Sequence, residues 1–463
     1  MSQAAAPSDP VGPADPADPA ALAGRGRPAA PAPPAAPVKV AVLGLGTVGG
    51  EVVRLLAESA GDLACRVGAP LELVGVAVKD PAARPRPAGL DRALLTDDAI
   101  GLAGRADVVV ELIGGIEPAR GAILAAFAAG ASVVTANKAL LAAHGPELYE
   151  AARRAGVDLY FEAAVAGAIP ILRPLRESLA GDTVTRVLGI VNGTTNYVLD
   201  QMTSNGLDLA AAVRQAQKLG YAEADPSADV DGHDAAAKAA ILASLAFHTR
   251  IPAAGVYRQG IGAVTAADVA AARATGHVIK LLAIVERRES RGVIARVHPA
   301  LVPLAHPLAA VRGAFNAVYV EAEAAGELMF YGRGAGGLPT ASAVVGDIVT
   351  VARHKVGGTL GPGESTYLSL PALPVAEALT RLQIRLVVRD EPGVLAAVAE
   401  VIAGHGVSIE AVRQTPGSHG AGLADLTVVT HQAAEGALQA TVGALAGLDA
   451  VAQVAGAIRV EGE

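Results

Sequence analysis

The densest group of potentially reactive side chains lies between residues 223 and 238. It contains five carboxylates, one histidine and one lysine, namely Glu223, Asp225, Asp229, Asp231, His233, Asp234 and Lys238. The pattern after Asp231 predicts a helix, on which Asp234 and Lys238 share one face because they are four residues apart. The apolar run over 239–247 predicts burial, and a buried lysine is costly unless it is paired and serves a function. We therefore expect Asp234 and Lys238 to be functional rather than a surface ion pair.

The other members of this group suit recognition of an amino acid better than a metal. The carboxylates lack the spacing of a calcium loop, and no second histidine lies at metal-ligand spacing. His233 lies about 100° around the helix from Asp234, which favours a structural or supporting role. Glu223 and Asp229 are predicted to capture a substrate ammonium group, as an amino-acid substrate requires.

A second lysine, Lys138, follows an apolar strand predicted over 132–135. Ligands of open parallel sheets bind at the carboxyl ends of the strands, so Lys138 should lie where a cofactor and its substrate meet. The chain holds seven lysines and thirty arginines. A lysine at this position therefore indicates a need for a compact or titratable ammonium rather than a general surface cation.

These side chains need a nucleotide-binding frame, and the sequence provides one from Val38. A buried strand over 38–43 runs into a glycine motif and then a helical pattern. The motif consists of Gly44, Leu45, Gly46, Thr47, Val48 and Gly49. Its first glycine permits a tight turn, the second lets the backbone approach a pyrophosphate, and the third lets helix and strand pack closely. The alternative is a glycine turn without a ligand.

The residues after the second strand, predicted over 71–78, distinguish between the two nicotinamide cofactors. An acidic residue there binds the ribose hydroxyl of NAD, whereas a cation meets the 2′-phosphate of NADP. Lys79 comes first, before Asp80, and Arg84 and Arg86 follow. This order favours NADP and leaves NAD as an accepted alternative, although a lysine after a strand can also be a plain surface residue.

Composition excludes several classes of protein. The chain has 463 residues, 52% hydrophobic and 18% charged, which suits about three domains. An uncharged run over 121–136 is too short and too rich in small residues to span a bilayer. The net charge of −8 gives no support for a nucleic-acid partner, and a single cysteine excludes internal disulfides and cysteine-based metal sites. We expect a soluble cytoplasmic protein with no membrane partner.

The segment over 216–238 resembles the signature of the homoserine dehydrogenase family. Segments 135–138, 189–197 and 331–342 are also similar to that family, and the resemblance extends from Val38 to about Gly357. It implies NAD(P)H-dependent, reversible reduction of L-aspartate 4-semialdehyde to L-homoserine in threonine, methionine and isoleucine biosynthesis. It also implies a homodimer or homotetramer.

The same resemblance assigns roles to individual residues. Lys238 would be the proton donor, and Lys138 would lie at both cofactor and substrate. Glu223, Asp229 and Asp234 would hold or orient the substrate. The glycine-rich loop containing Gly334 would make a second contact with the cofactor, ahead of a helix starting near Pro339.

A further segment, 161–170, resembles the loop that binds a monovalent cation in this family. The Glu162 carboxylate and the carbonyl oxygens of Val165, Gly167 and Ile169 would be the ligands, with sodium as the cation. The residues alone show only a turn rich in small side chains before Pro170, so this site rests on the resemblance.

The end of the chain predicts a smaller module. A strand over 382–388 is followed by a helix to about 403, strands near 407 and over 423–429, a helix from 433 and a strand ending near 460. This order suggests a ferredoxin-like sandwich. It resembles the ACT domain, a module that binds amino acids, with Asp390, Gly393 and Val394 at its binding turn. Threonine is the expected effector, and dimerisation alone is the alternative role.

The complete expectation is an α/β protein with a Rossmann-type domain, an α+β catalytic and dimerisation domain, and a C-terminal ferredoxin-like (ACT) domain. The expected segments are a disordered Ala/Pro-rich tail (1–37), the NAD(P)-binding domain (38–160), the catalytic domain (161–356), a linker (357–380) and the ACT domain (381–463). A dehydrogenase for another amino-acid-derived substrate and a non-catalytic amino-acid sensor remain as alternatives. The presence of both Lys138 and Lys238 argues against the sensor.

Overall fold

The structure is a computed structural model that describes residues 36–82, 89–416 and 422–462. The expectation of a disordered tail falls almost wholly outside these residues, as do Arg84 and Arg86. No helix in the described part of the chain is long and apolar enough to cross a bilayer.

The first domain is a six-stranded, entirely parallel sheet with strand order β3-β2-β1-β4-β5-β6. Its strands are β1 (Val38–Leu43), β2 (Leu71–Ala77), β3 (Leu95–Thr96), β4 (Val108–Glu111), β5 (Ser132–Thr135) and β6 (Leu159–Tyr160). The helices between them are α1 (Thr47–Glu58), α2 (Ala60–Val67), α3 (Ala99–Ala103), α4 (Ala119–Ala128) and α5 (Lys138–Ala155). All four residues of β4 and of β5 are buried, as expected for strands covered on both faces. This order is that of a Rossmann-type dinucleotide fold, which confirms the predicted fold class.

The second domain places helices against an antiparallel sheet with strand order β12-β11-β7-β9-β10. Its strands are β7 (Val184–Ile190), β8 (Tyr257–Arg258), β9 (His277–Arg288), β10 (Gly292–Pro303), β11 (Phe315–Ala322) and β12 (Gly326–Arg333). Its helices are α6 (Gly193–Asn205), α7 (Leu209–Lys218), α8 (Ser227–Val230), α9 (His233–Ala246), α10 (Ala266–Ala274) and α11 (Gly337–Gly357). Helix α9 is buried on most of its surface and contributes to the largest hydrophobic core.

Helix α11 connects the two domains. It packs beside α1 and buries Val344, Ile348 and Val351 in the core on one side of the Rossmann sheet. It begins at Gly337, two residues earlier than predicted. The segment after it contacts β10, where Leu373 N–H donates to the Val293 carbonyl over 2.8 Å.

The C-terminal domain has the predicted β-α-β-β-α-β order. Its main elements are β13 (Leu379–Arg389), α12 (Val394–Gly404), β14 (Ile409–Pro416), β15 (Leu423–Thr430), β16 (Ala433–Ala434), α13 (Glu435–Ala446) and β17 (Val451–Val460). The two helices cover one face of the sheet β17-β13-β15-β14 around their own hydrophobic core. Strand β17 also pairs in parallel with β10 at Ala300 and Leu301, so the second and third domains share one continuous eleven-stranded sheet.

Candidate active site

Lys238 lies inside helix α9 and is 9% exposed. Its Nζ donates to the Asp234 Oδ2 atom over 2.7 Å and to the Val191 carbonyl oxygen over 2.7 Å. The i,i+4 pairing and the burial expected from the sequence are therefore both present. Because two of its three N–H groups have acceptors, Lys238 keeps one donor for another oxygen.

Lys138 approaches the same carboxylate from the Rossmann domain. It is the first residue of α5, immediately after the carboxyl end of β5, and its Nζ lies 3.2 Å from Asp234 Oδ1. Its side chain is 41% exposed, compared with 11% for Lys238. One carboxylate thus joins two ammonium groups from two domains, and the ammonium group from the Rossmann domain is the more exposed of the two.

The electrostatic balance at this point keeps Asp234 ionised. Burial alone would raise the pKa of the Asp234 carboxyl, because a charge is costly in a dry environment. The ammonium groups of Lys238 and Lys138 oppose that effect, aided by hydrogen bonds from Lys238 and Asn192, and lower the pKa to about 2. Asp234 is therefore a fixed negative charge near neutral pH, suited to holding two cations rather than to transferring a proton.

Asn192 is a site residue that the sequence analysis did not assign. Its Nδ2 donates to Asp229 Oδ1 over 2.6 Å and to Asp234 Oδ2 over 2.9 Å, while its Oδ1 accepts the Thr195 N–H as the N-cap of α6. Together with Val191, it extends strand β7 into the site. Asn192 lies in segment 189–197, whose similarity to a known family could have marked it as functional. Nothing in that segment indicates that its partners are the carboxylates of Asp229 and Asp234.

The other predicted substrate residues differ in their placement. Asp229, at the end of the short helix α8, is joined to the site through Asn192. Glu223 is exposed. Among the described residues, its backbone carbonyl accepts a hydrogen bond from Gln217 Nε2 over 3.1 Å, and its side chain makes none. His233 is exposed at the first turn of α9. The structure therefore links Asp229 to the two lysines and shows no such link for Glu223.

A buried carboxylate fixes the strand ends that carry Lys138. Glu111, at the end of β4, accepts the Thr135 hydroxyl over 2.6 Å and the Ile113 N–H over 2.8 Å. Thr135 in turn accepts the N–H of Asn137, whose side chain donates to the Gly115 carbonyl and caps α5. This chain of hydrogen bonds holds the loops after β4 and β5 and fixes the start of the helix bearing Lys138.

The glycine motif has the geometry required of a pyrophosphate cradle. A Cβ on Gly44 would lie 2.6 Å from the Leu112 carbonyl oxygen, and one on Gly49 would lie 2.0 Å from the Gly44 carbonyl oxygen. A Cβ on Gly46 would meet nothing within 4 Å, so the space beside this residue is open. Helix α1 starts at Thr47 with no side-chain cap, which leaves its first N–H groups directed toward that space. The residues present therefore fit a dinucleotide.

The remaining predicted cofactor residues surround this loop. Leu45 and Val48 pack partly against the neighbouring core, and Lys79 is exposed beyond the end of β2. The loop containing Gly334 leads into α11, and a Cβ on Gly337 would lie 3.0 Å from Thr47 Cγ2. Two helix N-termini, of α1 and α11, thus converge on the glycine motif.

The predicted cation loop is a buried turn beside that second loop, where the Ala168 N–H donates to the Arg333 carbonyl. The carbonyl oxygens of Val165, Gly167 and Ile169 accept no hydrogen bond from the described residues. The three residues are buried, and backbone carbonyls in buried segments usually have partners, so these oxygens fit a cation.

The side chain of Glu162 is engaged differently from the expectation. Its carboxylate accepts the backbone N–H groups of Ile171, Leu172 and Arg173 over 2.6–2.9 Å. It therefore fixes the start of the following helical turn, and the proposed carboxylate ligand already has these partners. No group of three or more His, Cys, Asp or Glu side chains within residues 36–82, 89–416 and 422–462 could hold a metal ion.

The predicted binding turn of the C-terminal domain is open to solvent. Gly393 caps α12 with a φ of +93°, and Asp390 is exposed, with Gln414 Nε2 3.4 Å from its Oδ1 atom. Val394 is half-buried at the first position of the helix.

Comparisons with known proteins agree with this geometry. Residues 44–162 match the family model for the homoserine dehydrogenase NAD-binding domain, 170–349 the homoserine dehydrogenase model, and 382–447 the ACT domain model. The homoserine dehydrogenase of Mycobacterium tuberculosis is 59% identical over 435 residues, covering 92% of this chain and 98% of the relative.

Solved structures show the same similarity in three dimensions. A homoserine dehydrogenase from Thiobacillus denitrificans matches with a TM-score of 0.84 and 39% identity, covering 92% of this chain and 98% of that chain. A hyperthermophilic archaeal homoserine dehydrogenase in complex with NADPH matches with a TM-score of 0.58 and 27% identity, covering 71% of this chain and 99% of that chain. By sequence and by structure, the chain belongs to the homoserine dehydrogenase family of oxidoreductases.

Proposed function

We propose that the chain reversibly reduces L-aspartate 4-semialdehyde to L-homoserine and that Lys238 donates the proton. The observation that carries this proposal is the buried Lys238 ammonium, held by Asp234 and the Val191 carbonyl beside Lys138. Hydride addition to an aldehyde carbon leaves negative charge on the oxygen, which a positioned ammonium stabilises and then protonates. A bound nicotinamide supplies that hydride.

The two lysines have different parts in this proposal. Lys238 is fixed by two acceptors, so its remaining N–H has a defined direction for proton transfer. Lys138 is the more exposed and lies at the end of β5, where it contacts substrate and cofactor and adds positive charge near the developing oxyanion. Asp234 holds both ammonium groups in place without changing its own charge.

Capture of the substrate ammonium is assigned to Asp229 and Glu223. Asp229 uses one oxygen to accept from Asn192, and its other oxygen remains for the substrate. Glu223 is exposed on the loop before α8. Its carboxylate is proposed to accept a hydrogen bond from the ammonium group of the bound amino acid. Because Asn192 connects Asp229 to Asp234, the role in binding the substrate ammonium is better supported for Asp229 than for Glu223.

Replacing Lys238 tests the assignment of the proton donor. In a Lys238→Ala enzyme, kcat should fall by about 10²–10⁴-fold, the usual contribution of a general acid. The dissociation constant of NADPH, measured by fluorescence titration, should stay near the wild-type value. Lys355→Ala is the matched control, since that lysine is exposed and pairs with Asp107 outside the site. Wild-type turnover in Lys238→Ala would show that another group donates the proton.

NADP is the proposed cofactor, with NAD as an accepted alternative. The open space beside Gly46 and the uncapped start of α1 support pyrophosphate binding. The exposed Lys79 provides a cation for a 2′-phosphate. The archaeal relative whose structure contains NADPH supports the same choice. Gly334, on the loop beside the glycine motif, is proposed as a further cofactor contact.

Sodium is proposed for the buried turn formed by residues 162–169. The unpartnered carbonyls of Val165, Gly167 and Ile169 support it, whereas the Glu162 carboxylate is already bound to backbone N–H groups. We propose that Glu162 supports the loop, while the direct ligation by its carboxylate that the family resemblance implies stays a prediction. Thermal unfolding in tetramethylammonium buffer, with and without added sodium, should show stabilisation by sodium.

The ACT domain is proposed to give feedback regulation, with threonine as the effector and Asp390, Gly393 and Val394 as the predicted binding turn. The corresponding cellular role is biosynthesis of threonine, methionine and isoleucine.

A homodimer is supported by the edge strand β12, on which Met329 is 37% exposed and Tyr331 is 54% exposed. A homotetramer is the alternative assembly.

A further inference from the structure

A cavity of about 340 Å³ lies between the open face of the ACT sheet and the catalytic domain. We call it the junction cavity. Its lining residues are Ala274, Thr275, His277, Leu301, Arg381, Gln383, Glu410, Ala411, Val412, Arg413, Thr427, Val429 and Val460. The catalytic domain contributes the turn between α10 and β9 and one residue of β10. The ACT domain contributes strands β13, β14, β15 and β17.

The charged groups of the junction cavity are complementary to an α-amino acid. Arg413 is exposed, and its single hydrogen bond among the described residues is a long one of 3.5 Å to the Ala274 carbonyl. Its guanidinium is therefore available to a carboxylate. Glu410 accepts from Arg381 over 2.6 Å and lies 4.0 Å from His431, which leaves accepting capacity for an ammonium group.

The uncharged lining limits the size and polarity of a side chain. Leu301, Val429 and Val460 line the cavity with apolar side chains, Thr427 adds a small polar one, and the Thr275 hydroxyl already donates to the Ala271 and Ala272 carbonyls. A small aliphatic or hydroxylated side chain suits this combination better than a large or charged one, because pockets of this kind fix orientation with few polar groups.

We propose that the junction cavity binds a small zwitterionic α-amino acid and that this occupancy regulates the enzyme. The proposal deepens, and rests on, the proposed regulation by the ACT domain, but it moves the binding site away from the turn at Asp390–Val394. Arg381 and Arg389 lie at opposite ends of β13, eight residues or about 26 Å apart, and the turn follows Arg389. The two positions are thus separate places on the same domain.

The location explains how binding reaches the active site. Beside the cavity the two domains are joined by Gln383 Nε2 to Thr275 Oγ1 at 3.4 Å and by the Arg385–Asp268 ion pair, in addition to the pairing of β17 with β10. A ligand that contacts both domains favours the conformation in which the cavity is formed. Strand β9 begins at His277 in the cavity and pairs with β7, the strand that leads to Val191 and Asn192.

Calorimetric titration of the full-length protein tests this site. The probes are L-threonine, L-isoleucine and L-methionine, each compared with its methyl ester and N-acetyl derivative, which lack one charge. Arg413→Gln and Glu410→Gln should weaken binding at least tenfold and abolish the corresponding change in turnover, while turnover without amino acid stays at the wild-type value. Arg389→Gln removes the same charge from an exposed position outside the cavity and should bind as the wild type does.

The outcomes separate this inference from the proposals on which it rests. Loss of binding in Asp390→Ala, with unchanged binding in Arg413→Gln and Glu410→Gln, would overturn the junction site and leave regulation by the ACT domain intact. Equal binding of the methyl esters would overturn recognition of a zwitterion. Absence of binding by all three amino acids at millimolar concentration, in a preparation that turns over homoserine, would overturn both the site and the proposed regulation.

Discussion

At the scale of single residues, the site depends on one carboxylate shared by two lysines. The sequence could predict the Asp234–Lys238 pair, because i,i+4 residues on a helix are neighbours whatever the fold. It could not predict that Lys138 pairs with Asp234, since the two are far apart in the chain and only the packing of α5 near α9 brings them together. Asn192 was missed for the same reason.

Replacing Asn192 tests whether its bridge between Asp229 and Asp234 matters for the substrate. Asn192→Ser keeps an N-cap oxygen for α6 but cannot donate to both carboxylates. Hydrogen bonds to charged groups contribute about 1.5–3 kcal/mol, so KM for L-homoserine should rise by about 10–100-fold. Steady-state kinetics measure the effect, and thermal unfolding of the same variant measures how far the loss of these bonds destabilises the fold.

Asn205→Ser is the control for this substitution, because Asn205 lies in the exposed last turn of the same helix. If the KM of the Asn192→Ser enzyme matches that of this control, the bridge between the two carboxylates does not position the substrate.

At the scale of elements, the strand–loop–helix unit of β1 and α1 was predicted closely. Its bounds follow from the apolar run and the glycines, because local sequence sets both the buried strand and the turn after it. The start of α11 near the same loop had a weaker signal. The N-termini of α11 and α1 lie close together because Gly337 packs against Thr47. Local sequence does not predict a contact between residues so far apart in the chain.

Two glycine substitutions in this unit should have different effects: Gly49→Ala should lower thermal stability, and Gly46→Ala should weaken cofactor binding. In Gly49→Ala the methyl group would lie 2.0 Å from the Gly44 carbonyl oxygen, so the protein should unfold at a lower temperature. In Gly46→Ala the methyl group meets no protein atom within 4 Å and the φ of −76° suits alanine, so thermal stability should be retained. NADPH binding should nevertheless weaken at least tenfold, because the methyl group would occupy the space for the pyrophosphate.

Thermal unfolding and NADPH titration of the two variants measure these effects. If Gly46→Ala binds NADPH as tightly as the wild type, the pyrophosphate does not approach this residue, and the cradle assignment fails.

At the scale of the whole molecule, a buried ion cluster joins the end of the chain to the catalytic sheet. Glu461 Oε1 lies 3.0 Å from Arg296 Nη2 and accepts the Thr380 hydroxyl, while its Oε2 pairs with Arg186 of β7. Arg296 is fully buried and also pairs with Glu286 at 2.9 Å. Sequence reasoning could predict the ACT fold from its element order, but not this cluster, because its members lie on separate strands without a motif.

The cluster makes stability depend on pH in a defined window. Burial would raise the pKa of Glu461, but Arg296 and Arg186 outweigh it and lower the pKa from 4.5 to about 2. The stabilisation is complete above pH 4.5 and is lost as the pH falls toward 2, because the unfolded chain takes up the proton first. Glu461→Gln should therefore lower the unfolding temperature at pH 7 and flatten its decline below pH 5.

The physical reason for the loss at pH 7 is that the amide leaves Arg296 and Arg186 without one of their counter-charges. Removing one member of a buried pair costs about 3–5 kcal/mol. Thermal unfolding of Glu461→Gln should be compared with that of the exposed Glu400→Gln. Identical pH dependence in the two variants would show that the cluster does not stabilise the junction of the domains.

The central claim is tested most directly by NADP⁺ reduction with the purified full-length protein and L-homoserine, followed by the absorbance of the reduced nicotinamide and repeated with NAD⁺ and with other amino alcohols. We expect homoserine-specific reduction that is faster with NADP⁺. Cofactor binding without homoserine-dependent reduction would contradict the proposed reaction and favour another substrate or an amino-acid sensor.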